Sequence, residues 1–290
     1  MNNKIVVGCD IGGSHISTAL VDLENKILIE DTFKRQTVNS HDEIAAIIDS
    51  WSSCIQSSIE KGNLKVTAIG IAVPGPFDYE NGISLMKNQN KYEALYEVNV
   101  KALLAKKIGF GTEDITFLND AACFLQGEMF AGAGVIFKRA VGLTLGTGLG
   151  SALFLNGHAE DGDLWCAKFR ESIAEDYLSG HWLKSTYIKR TGKQIESVKA
   201  LCDIAETDAD AAAILREFGH TLAEFVSEHL VDKDPEGLIL GGNIAKGHAH
   251  FLNHTHAKLK EKGVSLPIEI AQLGEMAAIY GAAGALKSDF

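Results

Sequence analysis

The chain has 290 residues, 46% of them hydrophobic and 22% charged, proportions that suit a folded globular protein with room for two ordinary domains. Its formal net charge of −11 argues against a nucleic-acid surface, because neutralising phosphates draws on clustered Lys and Arg. No apolar run reaches the roughly 18 residues of a membrane span, and Met1-Asn2-Asn3-Lys4 enters an apolar stretch at once with no room for a signal peptide, so the expected location is the cytoplasm. Cys9, Cys54, Cys123, Cys166 and Cys202 are odd in number, widely spaced and free of any Cys-x-x-Cys. They read as free thiols of a reducing compartment.

In chain order, residues 4–34 read as a β-meander, its last strand marked by the alternation in Ile-Leu-Ile-Glu-Asp-Thr-Phe. Ser40 to Glu43 offers an N-cap and a capping-box Glu for a helix over 42–61. Residues 65–73 form a buried strand stopped by Pro74-Gly75-Pro76. A helix over 99–108 and a short strand over 116–118 lead to Asn119-Asp120, and a helix over 121–130 follows. A second meander covers 140–157. Helices are then expected over 173–190, 195–205 and 208–230, a strand over 237–240 broken by Gly241-Gly242, a strand over 267–271, and a closing helix over 275–286. Strands in series, then strands alternating with helices, give an α/β chain with mixed sheets covered by helices.

The most informative feature is an internal echo. An apolar run ends at Asp10, turns through Gly12-Gly13-Ser14 and resumes; about 135 residues later another breaks at Gly146-Thr147-Gly148 and resumes. Two such turns imply related halves facing a shared cleft, with nucleotide phosphates against backbone N–H groups. Asp10 is placed to hold Mg²⁺ on those phosphates, directly or through water, although a lone Asp there would read more readily as a turn cap. Asp120 is placed to accept a proton from an attacking hydroxyl, beside Asn119 as a substrate hydrogen-bonding partner. Asp120 could also cap the helix that follows. Gly241-Gly242 would let a nucleoside lie against the backbone. Glu175 is a candidate for sugar hydroxyls, although its spacing favours an exposed helix charge. Trp165 reads as core, and His248, His250, His254 and His256 as surface residues of a polar helix. Neither glycine turn is a Walker loop or a dinucleotide fingerprint.

These motifs together resemble the ROK family of sugar kinases and repressors, within the actin-like superfamily. The resemblance rests on residues 10–22, Gly70 to Asp78, Phe117 to Glu128, Leu143 to Gly157, Leu238 to Gly247 and Leu273 to Leu286, in the family's order. It implies two ribonuclease-H-like domains, 1–119 with 275–290 and 120–274, with ATP and sugar in the interdomain cleft. It assigns the catalytic base to Asp120, sugar contacts to Gly75 and Asn119, phosphate turns to Asp10–Ser14 and Gly146–Gly148, and adenosine to Gly241-Gly242. It further implies Mg²⁺, a homodimer and a hexose or N-acetylhexosamine acceptor. The chain departs from the family at 158–175, which has no Glu-Ile-Gly-His segment and one cysteine, Cys166, so no zinc site is expected. Glu175 aligns with the sugar-binding Glu of the helix after that segment. A repressor is not expected, since the first strand begins near Lys4 where the family's repressors carry a winged helix-turn-helix. The remaining alternatives are a non-catalytic sugar-responsive binding protein and a kinase of a non-sugar acceptor.

Overall fold

The computed structural model describes residues 4–286, so the first three and last four residues of the expected N-terminal domain lie outside the described residues. The described chain begins with strands β1 (Ile5–Ile11), β2 (His15–Asp22) and β3 (Ile27–Thr37), helix α1 (Ile44–Gly62) and strand β4 (Val66–Val73). A two-stranded ribbon, β5 (Phe77–Asp78) and β6 (Ile83–Ser84), precedes α2 (Val100–Ile108), β7 (Ile115–Asn119) and α3 (Asp120–Ala131). Next come β8 (Ala140–Leu145), β9 (Leu149–Leu155), β10 (His158–Asp161) and a second ribbon, β11 (Lys168–Phe169) and β12 (Ser172–Ile173). Helices α4 (Gly180–Thr191), α5 (Val198–Ile204) and α6 (Ala209–His229) lead to β13 (Gly237–Gly241) and the short α7 (Gly242–Ala245). The described chain closes with α8 (Leu252–Glu261), β14 (Ile268–Ile270) and α9 (Ala277–Gly284).

Two compact units result, one holding the chain up to residue 135 with 156–160 and the stretch from 275 onward, the other holding 136–155 and 161–274. The first unit therefore runs on through α3, past the division expected at Asp120. The two main sheets have the same order, β3-β2-β1-β4-β7 and β10-β9-β8-β13-β14. In the first, β1 pairs antiparallel with β2 and parallel with β4, and β4 pairs parallel with β7. In the second, β8 pairs antiparallel with β9 and parallel with β13, and β13 pairs parallel with β14. The echo seen in the sequence is thus an echo of topology.

Each face of the first sheet is buried, which is why β1 is apolar at nearly every position. Val7, Cys9 and Ile11 face a core shared with Trp51 and Ile55 of α1 and Leu104 of α2. Val6 points the other way, to a cluster with Phe130 of α3 and Ile279 and Ala283 of α9. Helix α1 buries Ile47, Ile48, Trp51, Cys54, Ile55 and Ser58, one stripe at helical spacing, and ends on Asn63 in the left-handed region, φ 47°. Helices α3 and α9 meet almost backbone to backbone: a methyl placed on Gly281 would lie 1.7 Å from the Cys123 carbonyl oxygen. The second unit's core joins Leu143 and Leu145 of β8 to Phe218, Leu222 and Phe225 of α6 and Leu240 of β13.

Several local expectations are corrected. Helix α1 starts at Ile44 with Glu43 at the N-cap and no side-chain cap bond; Ser40 instead offers its carbonyl to the Tyr92 N–H at 2.8 Å. The helix expected from 173 begins at Gly180, capped by Ser179, because β12 and a single 3₁₀ turn, Ala174–Asp176, occupy the preceding residues. The helix expected from 195 begins at Val198, capped by Ser197. Trp165 is 45% exposed and is not a core residue; its neighbour Leu164 takes the buried position.

Candidate active site

In the first unit, three parallel strands end side by side. The register sets Asp10 opposite Ala72, Ala72 opposite Leu118, and Val73 opposite Asn119. Asp10, the Pro74-Gly75-Pro76 turn and Asn119-Asp120 therefore come together at the carboxyl ends of β1, β4 and β7, where open parallel sheets bind ligands. The Gly75–Pro76 peptide is cis.

Burial, and next the charge of Asp120, push the Asp10 carboxyl from 3.8 up to about 6; Arg35 opposes the rise and Glu275 adds to it. The Arg35 guanidinium is itself engaged with Glu275 at 2.9 Å. A mostly buried carboxylate under the charge of a second carboxylate, with the opposing Arg35 cation already paired to Glu275, is a donor set that fits a divalent ion with oxygen ligands.

The helix begins one residue earlier than expected, so Asn119 and not Asp120 caps α3. Asn119 Oδ1 accepts from the N–H groups of Ala121 and Ala122 at 2.8 and 3.1 Å. Its amide donates to the Tyr79 hydroxyl at 3.3 Å, which leaves one amide hydrogen for a substrate. Asp120, the first helical residue, is exposed and among the described residues accepts only from the Ala121 N–H, at 2.9 Å. Its other oxygen is available as a base. Tyr79 also donates to the Val73 carbonyl at 3.4 Å, and a methyl on Gly75 would sit 3.2 Å from its hydroxyl. The phenol thus ties the end of β4 at Val73 to Asn119, a link that no spacing in the sequence announces.

The first glycine turn is held from below. The Gly12 N–H donates to His15 O at 2.9 Å, and the Tyr92 hydroxyl donates to Gly12 O at 2.6 Å. Burial pushes the Tyr92 phenol up to about 12, so it keeps the proton it donates. Ser14 Oγ lies 2.8 Å from His15 Nδ1.

In the second unit, the carboxyl ends of β8 and β13 carry the other turns. The Gly146 N–H bonds to Gly148 O at 3.0 Å, and the Gly180 N–H, at the start of α4, bonds to Gly146 O at 2.8 Å. The twelve-residue α4 thus aims its N-terminus at this turn. Glu175 is half-buried and not an exposed helix charge: its carboxylate accepts from the Leu149 N–H at 2.9 Å and lies over Gly148. Gly242 has φ 83°, and a side chain there would run into the Leu145 carbonyl oxygen, 2.3 Å away. A cavity of about 730 Å³ opens here, lined among others by Gly146, Thr147, His181, Lys184, Asn243 and His250. Its size suits a nucleotide. Asn243, next to the Gly241-Gly242 pair, lines the cavity. His181, Lys184 and His250 were not foreseen as site residues; only their places in the fold bring them to Gly146.

The ROK family model matches residues 6–288. An N-acetyl-D-glucosamine kinase of Salmonella paratyphi B is 22% identical over 269 residues, covering 82% of this chain and 84% of that protein. The solved ROK hexokinase of Thermus thermophilus aligns with a TM-score of 0.75 at 21% identity, over 96% of each chain. A ROK glucokinase of Streptomyces griseus, solved with glucose and AMPPNP, aligns with a TM-score of 0.71 at 22% identity, over 97% of this chain and 98% of that one. Both structures share the actin-like fold of two mixed α/β sheets. The protein belongs to the ROK family.

Proposed function

We propose that the protein is an ATP-dependent sugar kinase acting on a hexose or an N-acetylhexosamine. The observation that carries this reading is the meeting of Asp10, Gly75, Asn119 and Asp120 at the ends of three parallel strands. Asp120 accepts the proton of the sugar hydroxyl as that oxygen bonds to the γ-phosphorus and the bond to the ADP oxygen breaks. Asn119, its amide oriented by Tyr79 and its carbonyl by the helix cap, donates its remaining hydrogen to the sugar. Asp10 would hold Mg²⁺, which when bound supplies charge neutralisation on the phosphates. The Gly146–Gly148 turn, fixed by Glu175 and by the start of α4, takes phosphate, and the 730 Å³ cavity takes the nucleoside. The kinase names and the glucose and AMPPNP of the relatives support the same substrate classes.

The free cysteines support a cytoplasmic location and the acidic charge a protein without nucleic-acid partners, and the homodimer is proposed from the family resemblance. No described helix is long and apolar enough to cross a membrane. Light scattering on the purified protein tests the dimer. The function is tested by ADP release from Mg-ATP against glucose, fructose, mannose, allose, glucosamine, N-acetylglucosamine and N-acetylmannosamine. Release that depends on one of these sugars supports the proposal. Silence across the panel from folded, ATP-binding protein points to the non-catalytic binding protein or another acceptor.

A further inference from the structure

The tip of the first glycine turn has unspent donors. The hairpin uses the Gly12 N–H and the Ser14 carbonyl, whereas the Gly13 and Ser14 N–H groups have no acceptor among the described residues. Exposed successive N–H groups of this kind form a concavity for an anionic oxygen. The Asp10 carboxylate lies three residues before Gly13, so an anion here needs a positive charge nearby as well.

Lys91 is placed to supply it. The next residue, Tyr92, is anchored twice: its N–H donates to Ser40 O at 2.8 Å and its hydroxyl to Gly12 O at 2.6 Å. With Tyr92 so fixed, the half-buried Lys91 lays its aliphatic stem along the turn, and a methyl on Gly13 would sit 3.8 Å from Lys91 Cδ. No carboxylate among the described residues forms an ion pair with Lys91, whereas Arg35, the cation that acts on Asp10, is committed to Glu275. A cation that is held in place but unpaired, beside unspent amides, is arranged for a ligand and not for the fold.

We propose that Lys91 is a phosphate-contacting residue, whose ammonium and the Gly13 and Ser14 amides together grip the phosphoryl oxygens of the nucleotide at the first turn. The inference rests on the kinase reading. In the transfer, the sugar oxygen gains the phosphorus, ADP leaves with the electrons of the broken bond, and Asp120 takes the proton. Lys91 exchanges no proton and offsets the charge that gathers on the oxygens.

The test compares Lys91→Met, which keeps the stem on Gly13 and removes the charge, with Lys91→Arg and with Lys87→Met. Lys87 stands in the same loop over the Tyr96 ring, 4.7 Å from its centroid, and serves as the control for lost surface charge. With the sugar that the panel identifies, Lys91→Met is expected to lower kcat/KM for Mg-ATP about tenfold to a hundredfold, the range of a charge-assisted bond. The sugar KM should stay unchanged, Lys91→Arg should restore at least part of the loss, and Lys87→Met should behave as wild type. Mg-ATP affinity by calorimetry gives a reading independent of turnover. If the wild type binds Mg-ATP but phosphorylates no sugar, the kinase reading fails, while a fivefold or greater loss of affinity in Lys91→Met still upholds the contact. Unchanged kcat/KM and unchanged affinity in Lys91→Met overturn it, as does an equal loss in Lys87→Met.

Discussion

Asp10 holds a charge that the ligand-free fold tolerates poorly, and its removal should show as a pH-dependent gain in stability. Its pKa rises from 3.8 to about 6 on folding, through burial and then the charge of Asp120. A group whose folded pKa is raised contributes fully below its unfolded pKa, and that contribution is lost as pH climbs through the folded value. At about 1.36 kcal/mol per unit, a rise of roughly two units makes the ionised carboxylate destabilising by about 3 kcal/mol above pH 6 or so. Asp10→Asn is neutral at every pH and of the same shape. It should therefore match wild type near pH 3 and exceed it by up to about 3 kcal/mol near pH 8. Urea titrations without divalent ions, followed through the emission of Trp51, which is fully buried in the same unit's core, give the difference at each pH. A difference that does not vary with pH, or a variant less stable than wild type at pH 8, would refute the reasoning. Saturating Mg-ATP should reverse the order, since only the wild type keeps the carboxylate.

Asp120→Asn should lower kcat at least about a hundredfold while the sugar still binds, as steady-state rates and sugar calorimetry would register; near-full turnover removes Asp120 from the role of base. Tyr79→Phe frees the Asn119 amide from its 3.3 Å acceptor and should raise the sugar KM about fivefold to tenfold, the worth of one hydrogen bond, with kcat within about threefold; an unchanged KM would sever Tyr79 from the sugar site. Gly281→Ala should destabilise by about 2 kcal/mol or more, against the roughly 1 kcal/mol that Ala gains over Gly in a free helix, because its methyl would meet Cys123 O at 1.7 Å. Thermal melts of the pair decide the sign.

The sequence carried the backbone of the site because its parts are local signals. Asp10, Gly12-Gly13, Asn119-Asp120 and Gly241-Gly242 each close an apolar run, and a strand end is legible wherever such a run stops at Gly, Asp or Asn. The shared sheet order follows from the same runs. What was missed depends on distance along the chain. Tyr79 reaches Asn119 across 40 residues and Tyr92 reaches Gly12 across 80; neither lies in a motif. Trp165 was misjudged because hydrophobic character alone does not choose which of two adjacent residues, Leu164 or Trp165, turns inward. Glu175 was read against a helix that starts five residues later, so its bond to the Leu149 N–H had no counterpart in any periodicity. The cap on α3 slipped by one residue because Asn and Asp are equally able to accept from helix N–H groups.

Helix α9 imposes an order on biogenesis. It covers Val6, Ala72 and Cys123 of the first unit, yet residues 277–284 leave the ribosome only after the entire second unit has been made. At a synthesis rate of about 5–20 residues per second, roughly 7 to 30 seconds separate the emergence of α3 from that of its partner helix. Through that interval one face of the first sheet, including glycines too bare to screen their own backbone, stands open to other chains. The nascent first unit is therefore a natural client for chaperones, and chains cut short before Ala277 should be cleared by proteolysis even with every residue of the catalytic cluster already synthesised.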